Sequence, residues 1–176
     1  MWVEAIQNGL ASNTLDLRLQ DDQQKRPLIL SFYDIVVPCG AMCSCALVDK
    51  APEVDFSGAT AATAAAKSIS ASEAEDETRE LYTVLMIDCD AIVPETLHWL
   101  VVDVEDRQMK TGRVIHKYQP PKPLFGEHRY MVMVMQQRLE KSILVQSPSS
   151  YAFDCTAFAK EHGLEPVAVT WVSIVK

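Results

Sequence analysis

The chain has 176 residues, of which 48% are apolar and 23% are charged. This length and composition are typical of one globular domain, and they exclude wholesale disorder, collagen and coiled coil. The 16 basic and 24 acidic residues give a net charge of −8, which disfavours direct binding to nucleic acid or to an anionic membrane surface.

The apolar runs and the cysteines indicate which cellular compartments are compatible with the sequence. No stretch approaches the 18 apolar residues that a transmembrane helix requires, and Met1–Ala5 lacks the basic and apolar segments of a secretory signal. The number of cysteines, five, is odd, and the chain is not small. Both facts disfavour a disulfide framework and predict reduced thiols. Cys39, Cys43 and Cys45 lack C-x2-C spacing, so we expect no metal and no cofactor. We predict a cytoplasmic protein, with a mitochondrial location as the alternative.

Short apolar runs alternate with turn clusters, a pattern typical of an all-β sandwich or barrel. Several runs are apolar at both parities, which indicates strands buried on both faces of a sheet. One helix is predicted near the end, capped by Ser149 or Ser150 and ended by Gly163. The predicted strands are Leu28–Val37, Leu81–Ile87, Leu97–Val104, Gly112–Tyr118, Tyr130–Gln136 and Val167–Val175.

Residues 57–78 interrupt this pattern. They combine a low-complexity stretch of alanine and threonine with an acidic stretch, and Ile69 is the only large apolar residue among them. We interpret the segment as a surface insertion in a single domain that spans residues 1–176.

Polar residues at the ends of apolar strands are the candidate functional residues. Asp88 and Asp90 end one predicted strand, and His98 and His128 each begin another. Such residues gather at one rim of a sheet, where they either line a shared pocket or only cap strands and form turns. Two other histidines have simpler interpretations. His116 is expected on the surface. His162 lies beside the glycine that ends the helix, where a partial positive charge interacts favourably with the helix dipole.

Two segments resemble the signatures of the phosphatidylethanolamine-binding protein family, which includes Raf kinase inhibitor protein and the plant flowering regulators. Tyr82–Ala91 followed by His98–Val102 is similar to the first signature, D-P-D-A-P and then H-W or H-F. Tyr118–Tyr130 is similar to the second, P-x-P-x-x-G-x-H-R-Y. Phe158–Ala168 resembles the late helix and closing strand of that family.

The resemblance implies a β-sandwich of antiparallel sheets with one or two short helices and a small pocket at one rim. In the family this pocket takes a phosphate or a phospholipid head group. The corresponding ligand-binding residues here are Asp88, His98, Gly126, His128 and Tyr130.

Physical chemistry is consistent with that set of residues. Imidazole N–H groups and loop amides beside a glycine can donate to phosphate oxygens, and a carboxylate can hold an imidazole in its donor tautomer. We further expect Asp90 and Arg129 to form an ion pair that joins the two signature segments.

The chain departs from the family pattern at three positions. Cys89 and Ile92 replace the two prolines of the first signature, and Glu127 places a negative charge directly before His128. These departures favour the alternative to a binding module. That alternative is a non-catalytic structural subunit of a larger assembly, such as a mitochondrial ribosome, with a degenerate pocket.

Catalysis is not expected, because His98, His128 and the aspartates do not assemble with a nucleophile in the sequence. We therefore predict a binding module whose pocket takes a phosphorylated small molecule or a phospholipid head group. The protein partner that it modulates is expected to be a kinase-type signalling protein or a large assembly.

Overall fold

The computed structural model describes residues 28–58, 80–92, 96–138, 142–143 and 145–176. The predicted insertion at 57–78 lies outside these residues, apart from Ser57 and Gly58. The described elements are the strands β1 Ile29–Phe32, β2 Ile35–Val37, β3 Met42–Cys43, β4 Glu53–Asp55, β5 Leu81–Asp88, β6 Thr96–Glu105, β7 Arg113–His116, β8 Glu127–Gln137 and β9 Leu164–Val175, the helix α1 Cys155–Glu161, and a 3-10 turn at Met109–Thr111.

The strands form two sheets. A small sheet has the order β2-β1-β4, and a six-stranded sheet has the order β3-β9-β8-β5-β6-β7. All described pairs are antiparallel except β3 with β9, which is parallel. The prediction of an all-β sandwich with a short helix is confirmed.

Both faces of the six-stranded sheet are covered, which explains why its central strands are apolar at both parities. Tyr82, Val84 and Met86 of β5 pack with the small sheet, whereas Leu85 and Ile87 pack with α1 and the chain that precedes it. The methionines at 131, 133 and 135 of β8 are buried on the side of the helix. Alternation along β5 and β8 therefore divides the core into two layers.

The predicted strand Leu28–Val37 is in fact a hairpin. Tyr33 and Asp34 have φ of 50° and 63°, and two residues in left-handed conformation form the tight turn that matches the twist of paired strands. Phe32 consequently pairs with Ile35 across the turn. The apolar run continued through the turn in the sequence, so composition alone did not show the break.

Helix α1 begins later than predicted. Asp154 is its N-cap, and the carboxylate of Asp154 accepts a hydrogen bond of 2.8 Å from the backbone N–H of Ala157. Ser149 instead accepts from the N–H of Tyr151 in a local turn. Gly163 follows the helix with φ of 61°, as its predicted role requires.

Candidate functional site

A pocket of about 260 Å³ opens at one end of the six-stranded sheet. Asp88 ends β5, while His98 and His128 lie near the starts of the two strands that flank it, β6 and β8. Antiparallel pairing places the end of β5 beside both starts, so that Asp88 lies opposite Thr96 on one side and Tyr130 on the other. Four of the five residues predicted to bind ligand therefore line one pocket: Asp88, His98, His128 and Tyr130.

Asp88 organises the deep wall of the pocket. Its side chain is buried, and its Oδ2 atom lies 2.8 Å from Nδ1 of His128. Its Oδ1 atom accepts a hydrogen bond of 2.9 Å from the backbone N–H of Asp90. Both carboxylate oxygens thus have a donor, and the bond to Nδ1 fixes the orientation of the His128 ring.

His98 is anchored in a similar way, but by the backbone. Its Nδ1 atom lies 2.7 Å from the carbonyl oxygen of Gln119, and the N–H of Gln119 donates back to the carbonyl of His98. The loop that follows β7 therefore fixes the His98 ring against the pocket. Gln119 lies inside the second signature segment but was not predicted as a site residue, because its contribution to His98 comes from its backbone.

Tyr130 lies between the two histidines. Its ring meets His98 edge to face with a centroid distance of 5.1 Å, and it lies nearly parallel to His128 at 6.4 Å. Burial, and then the nearby Asp88 carboxylate, raise the pKa of Tyr130 far above its ordinary value. The hydroxyl consequently stays protonated and neutral at physiological pH.

Asp90 and Arg129 form the expected ion pair on the other face of β8. Oδ2 of Asp90 accepts from Nε of Arg129 at 2.9 Å and from its backbone N–H at 2.8 Å, while Oδ1 accepts from Nη2 at 2.8 Å. The backbone N–H of Cys89 donates to the carbonyl of Arg129 at 3.0 Å. These bonds join the loop after β5 to the start of β8.

Gly126 is not among the residues that line the pocket. It has φ of 64°, which glycine adopts without strain, and its carbonyl accepts from the backbone N–H of Lys176 at 3.1 Å. A Cβ added there would meet no atom within 4 Å. The geometry therefore assigns Gly126 to the turn before β8 rather than to the wall of the pocket.

Comparisons with known proteins agree with this architecture. The sequence model of the family described as phosphatidylethanolamine-binding protein matches residues 36–172. The chain belongs to the phosphatidylethanolamine-binding protein family.

Among the relatives, the protein BROTHER of FT and TFL 1 of Arabidopsis thaliana is 34% identical over 101 residues, which are 53% of this chain and 57% of that protein. The chain thus matches little more than half the length of that curated relative.

Solved structures share the fold at lower identity. The carboxypeptidase Y inhibitor, complexed with its cognate proteinase, has a TM-score of 0.68 at 18% identity, covering 97% of this chain and 96% of that one. A phosphatidylethanolamine-binding protein from Plasmodium vivax has a TM-score of 0.60 at 16% identity, covering 85% and 84%.

The three departures from the family signatures have different consequences in the structure. Glu127 does not face the pocket, because its carboxylate hydrogen-bonds to the hydroxyl of Ser173 on β9 while the next residue, His128, points to the opposite side. Cys89 is not among the lining residues, whereas Ile92 lies at the pocket mouth and is 81% exposed. Glu127 therefore points away from the pocket, although it directly precedes His128 in the chain.

The pocket mouth is apolar, and the sequence had not indicated this. Exposed large side chains from three loops surround the opening, together with exposed Lys122. Ile92 and Phe125 lie inside the family signatures, so their place at the pocket could have been predicted from the sequence. Tyr151 reaches the pocket only through tertiary folding. The apolar mouth residues are Ile92, Leu124, Phe125 and Tyr151.

His116 is buried, so its predicted surface position is wrong. The side-chain amide of Gln119 donates to Nε2 of His116 at 3.1 Å, and Ser150 lies 3.4 Å from the same atom. Burial, and then the proximity of His98, lower the pKa of His116. The ring therefore serves as a neutral acceptor behind the pocket.

All five cysteines lie in described residues, and none forms a disulfide. In the described ranges, no group of three histidine, cysteine or acidic side chains is arranged to hold a metal ion. Nor does any helix there have the length and hydropathy needed to cross a bilayer.

Proposed function

We propose that this chain is a non-catalytic binding module. Its pocket takes a small phosphorylated ligand or a phospholipid head group, and occupancy modulates contact with a protein partner. The observation that carries the proposal is the convergence of Asp88, His98, His128 and Tyr130 around one cavity.

The size of the pocket supports a small ligand. About 260 Å³ is below the roughly 300–1,000 Å³ of sites for drug-sized molecules. The Lys122 ammonium at the mouth supplies donors for phosphate oxygens, and so do imidazole rings that carry a proton on both nitrogens. The exposed apolar residues around the opening suit an uncharged portion of the ligand that remains outside, or an apolar surface of the partner.

Binding without turnover is proposed because the described lining offers only Thr96 as an aliphatic hydroxyl. Asp88 and His128 resemble the orienting acid and the base of a catalytic triad. However, no described side chain that lines the pocket is serine or cysteine. Hydrolysis of a phosphate ester by this chain would contradict the proposal.

Contact with a protein partner is proposed by analogy with a fold neighbour. The carboxypeptidase Y inhibitor was solved as a complex with its cognate proteinase, so this fold can act through a protein interface. The exposed apolar pocket mouth, with Phe125 at 72% exposure, is the surface where occupancy and partner contact can influence each other.

Thermal unfolding with candidate ligands tests the pocket. Inorganic phosphate and glycerophosphoethanolamine, each at about 100 times its Kd, should stabilise the chain by about 2.7 kcal/mol, and this raises Tm by several degrees. A shift with both compounds indicates a phosphate site, whereas a shift with glycerophosphoethanolamine alone indicates a head-group site. His128→Ala should abolish either shift.

His162→Ala is the matched control, because His162 caps α1 outside the pocket-lining set. It should change the Tm of the unliganded protein without changing the ligand-induced shift. The proposal fails if neither compound shifts Tm, or if His128→Ala responds as the unmodified chain does. In that case, co-purification with a large assembly would favour the structural-subunit alternative.

A further inference from the structure

The two pocket histidines share one unusual feature: both are anchored through Nδ1. Nδ1 of His98 lies 2.7 Å from the backbone carbonyl oxygen of Gln119, and Nδ1 of His128 lies 2.8 Å from Oδ2 of Asp88. A carbonyl and a carboxylate only accept hydrogen bonds, so each Nδ1 must carry the proton. The neutral form of each ring is therefore the Nδ1–H tautomer.

This tautomer leaves Nε2 of each ring for a ligand. Within the described residues, neither Nε2 atom has a hydrogen-bond partner in the protein. In the neutral ring Nε2 carries a lone pair and can only accept. An anion brought into the neutral pocket would meet two lone pairs and the Asp88 carboxylate, which repel it, against the attraction of the Lys122 ammonium at the mouth.

We propose that the pocket binds an anion only together with protons, which are taken up at Nε2 of His98 and His128. Protonation turns each Nε2 into a charged donor while the Nδ1 anchor is unchanged, so the rings do not move. The anion-binding state therefore carries up to two more protons than the empty state. This inference rests on the proposed phosphate pocket and defines how that pocket is regulated.

Three side chains and one ammonium define the electrostatic surroundings of His128. Asp88 on β5 is its direct partner, whereas the Asp90 carboxylate in the following loop lies on the other face of β8 and is paired with the Arg129 guanidinium. Tyr130 on β8 remains neutral, because burial and then Asp88 raise its pKa. Beyond these groups, the ammonium of Lys176 lies over the Phe125 ring at the pocket mouth, 5.9 Å from the ring centroid.

The groups around His98 have opposing effects on a charge there. His116 on β7 would repel a charged His98, but its own pKa is lowered, first by burial, so it stays neutral over a wider pH range. Lys122 at the pocket mouth is an exposed basic side chain, and Tyr151 from the loop before α1 is an exposed phenol. Lys122 and His98 line the same pocket, so a bound anion can offset the repulsion between the Lys122 ammonium and a charged His98 ring, and this difference couples the proton to the ligand.

Calorimetric titration with sulfate tests the coupling. Sulfate keeps its double charge between about pH 5.5 and pH 8, where imidazole titrates, so any pH dependence of its affinity belongs to the protein. We expect sulfate to bind at least about tenfold more tightly at pH 5.5 than at pH 8. Titrations in buffers of different ionisation enthalpy should show uptake of one to two protons per sulfate near neutral pH.

Glutamine variants assign the protons to the two rings. The glutamine amide can donate without charge, so His98→Gln and His128→Gln should each lower the proton uptake by about one. His162→Gln should leave the uptake unchanged. Should a variant fail to fold, ¹⁵N NMR of the imidazole rings in the unmodified chain gives the same information, because both neutral rings should show the Nδ1–H tautomer.

The outcomes separate this inference from the proposed function. Sulfate binding without proton uptake, or an Nε2–H tautomer in either ring, overturns the coupling and leaves the phosphate pocket standing. Failure of both sulfate and inorganic phosphate to bind at any of these pH values overturns the coupling and the pocket together.

Discussion

Asp90 joins the two signature segments through a single carboxylate. It receives three hydrogen bonds from Arg129, two from the guanidinium and one from the backbone. Burial by itself would raise the pKa of Asp90, but the bonds from Arg129 outweigh it, and the pKa is lowered. The loop that carries Ile92 to the pocket mouth is therefore held by charge-assisted bonds where the family pattern has prolines.

Asp90→Asn should lower the free energy of unfolding by about 1–3 kcal/mol, because the Arg129 guanidinium loses its ionic partner. Chemical denaturation measures this change. Asp34→Asn is the control: Asp34 is an exposed aspartate in the β1–β2 turn, and asparagine also tolerates its left-handed backbone. Equal effects of the two variants would show that the pair with Arg129 contributes nothing specific.

At the scale of elements, Asp103 joins three segments from a position near the end of β6. Its carboxylate accepts from Arg113 of β7 at 3.0 Å and from Gln137 of β8 at 3.1 Å. It also accepts from the hydroxyl of Ser142 at 2.7 Å and from the N–H of Ile143 at 2.9 Å. The chain before α1 is thereby fixed to the sheet edge, and its buried Ile143 reaches the second core layer.

Asp103→Asn should lower the free energy of unfolding by about 1–3 kcal/mol, because an amide cannot accept from all four donors. Asparagine keeps the left-handed backbone, for which φ is 58°. The amide of Ile143 should exchange its hydrogen at least about tenfold faster in native-state measurements. Ser142→Ala, which removes one donor, should cost only about 1 kcal/mol.

The loss of stability at low pH should depend on the same Asp103 carboxylate. Burial alone would raise the pKa of Asp103, but its hydrogen bonds, led by the one from Ser142, lower it below its ordinary value. A carboxyl with a lowered pKa stabilises the fold above about pH 4 and loses that contribution as the pH falls further. Asp103→Asn should therefore lose less stability between pH 5 and pH 3 than the unmodified chain, and an equal loss would contradict this account.

At the scale of the whole molecule, the six-stranded sheet is the shared wall of two core layers. Phe56 follows β4 of the small sheet and is fully buried, with its ring edge to face with Tyr82 of β5 at a centroid distance of 5.2 Å. This contact joins the small sheet to the large one. It lies far along β5 from the pocket, which is formed at the other end of that strand.

Phe56→Ala should lower the free energy of unfolding by about 3–5 kcal/mol, because it leaves a cavity between the sheets. Phe56→Leu fills most of that space and should cost less than about 1.5 kcal/mol. Denaturant unfolding followed by tryptophan fluorescence and by circular dichroism should show one shared transition for each variant. Separate transitions would mean that the two sheets unfold independently.

The sequence by itself determined the family, the all-β class and four of the residues that line the pocket. Asp88, His98, His128 and Tyr130 lie in contiguous signature segments, and strand alternation alone placed His128 and Tyr130 on one face. The ion pair of Asp90 with Arg129 could also be predicted from the sequence, because both residues lie next to pocket residues in the chain.

Only the tertiary structure decided which distant atoms meet. The pairing of β6 with β7 brings the Gln119 carbonyl to His98, the register of β5 with β6 and β8 places Asp88 beside the two histidines, and folding brings Tyr151 to the pocket mouth. It also turned Glu127 away from the pocket and buried His116. Periodicity along a strand reports the face of a side chain, whereas its hydrogen-bond partners depend on strand pairings between residues that are far apart in the sequence.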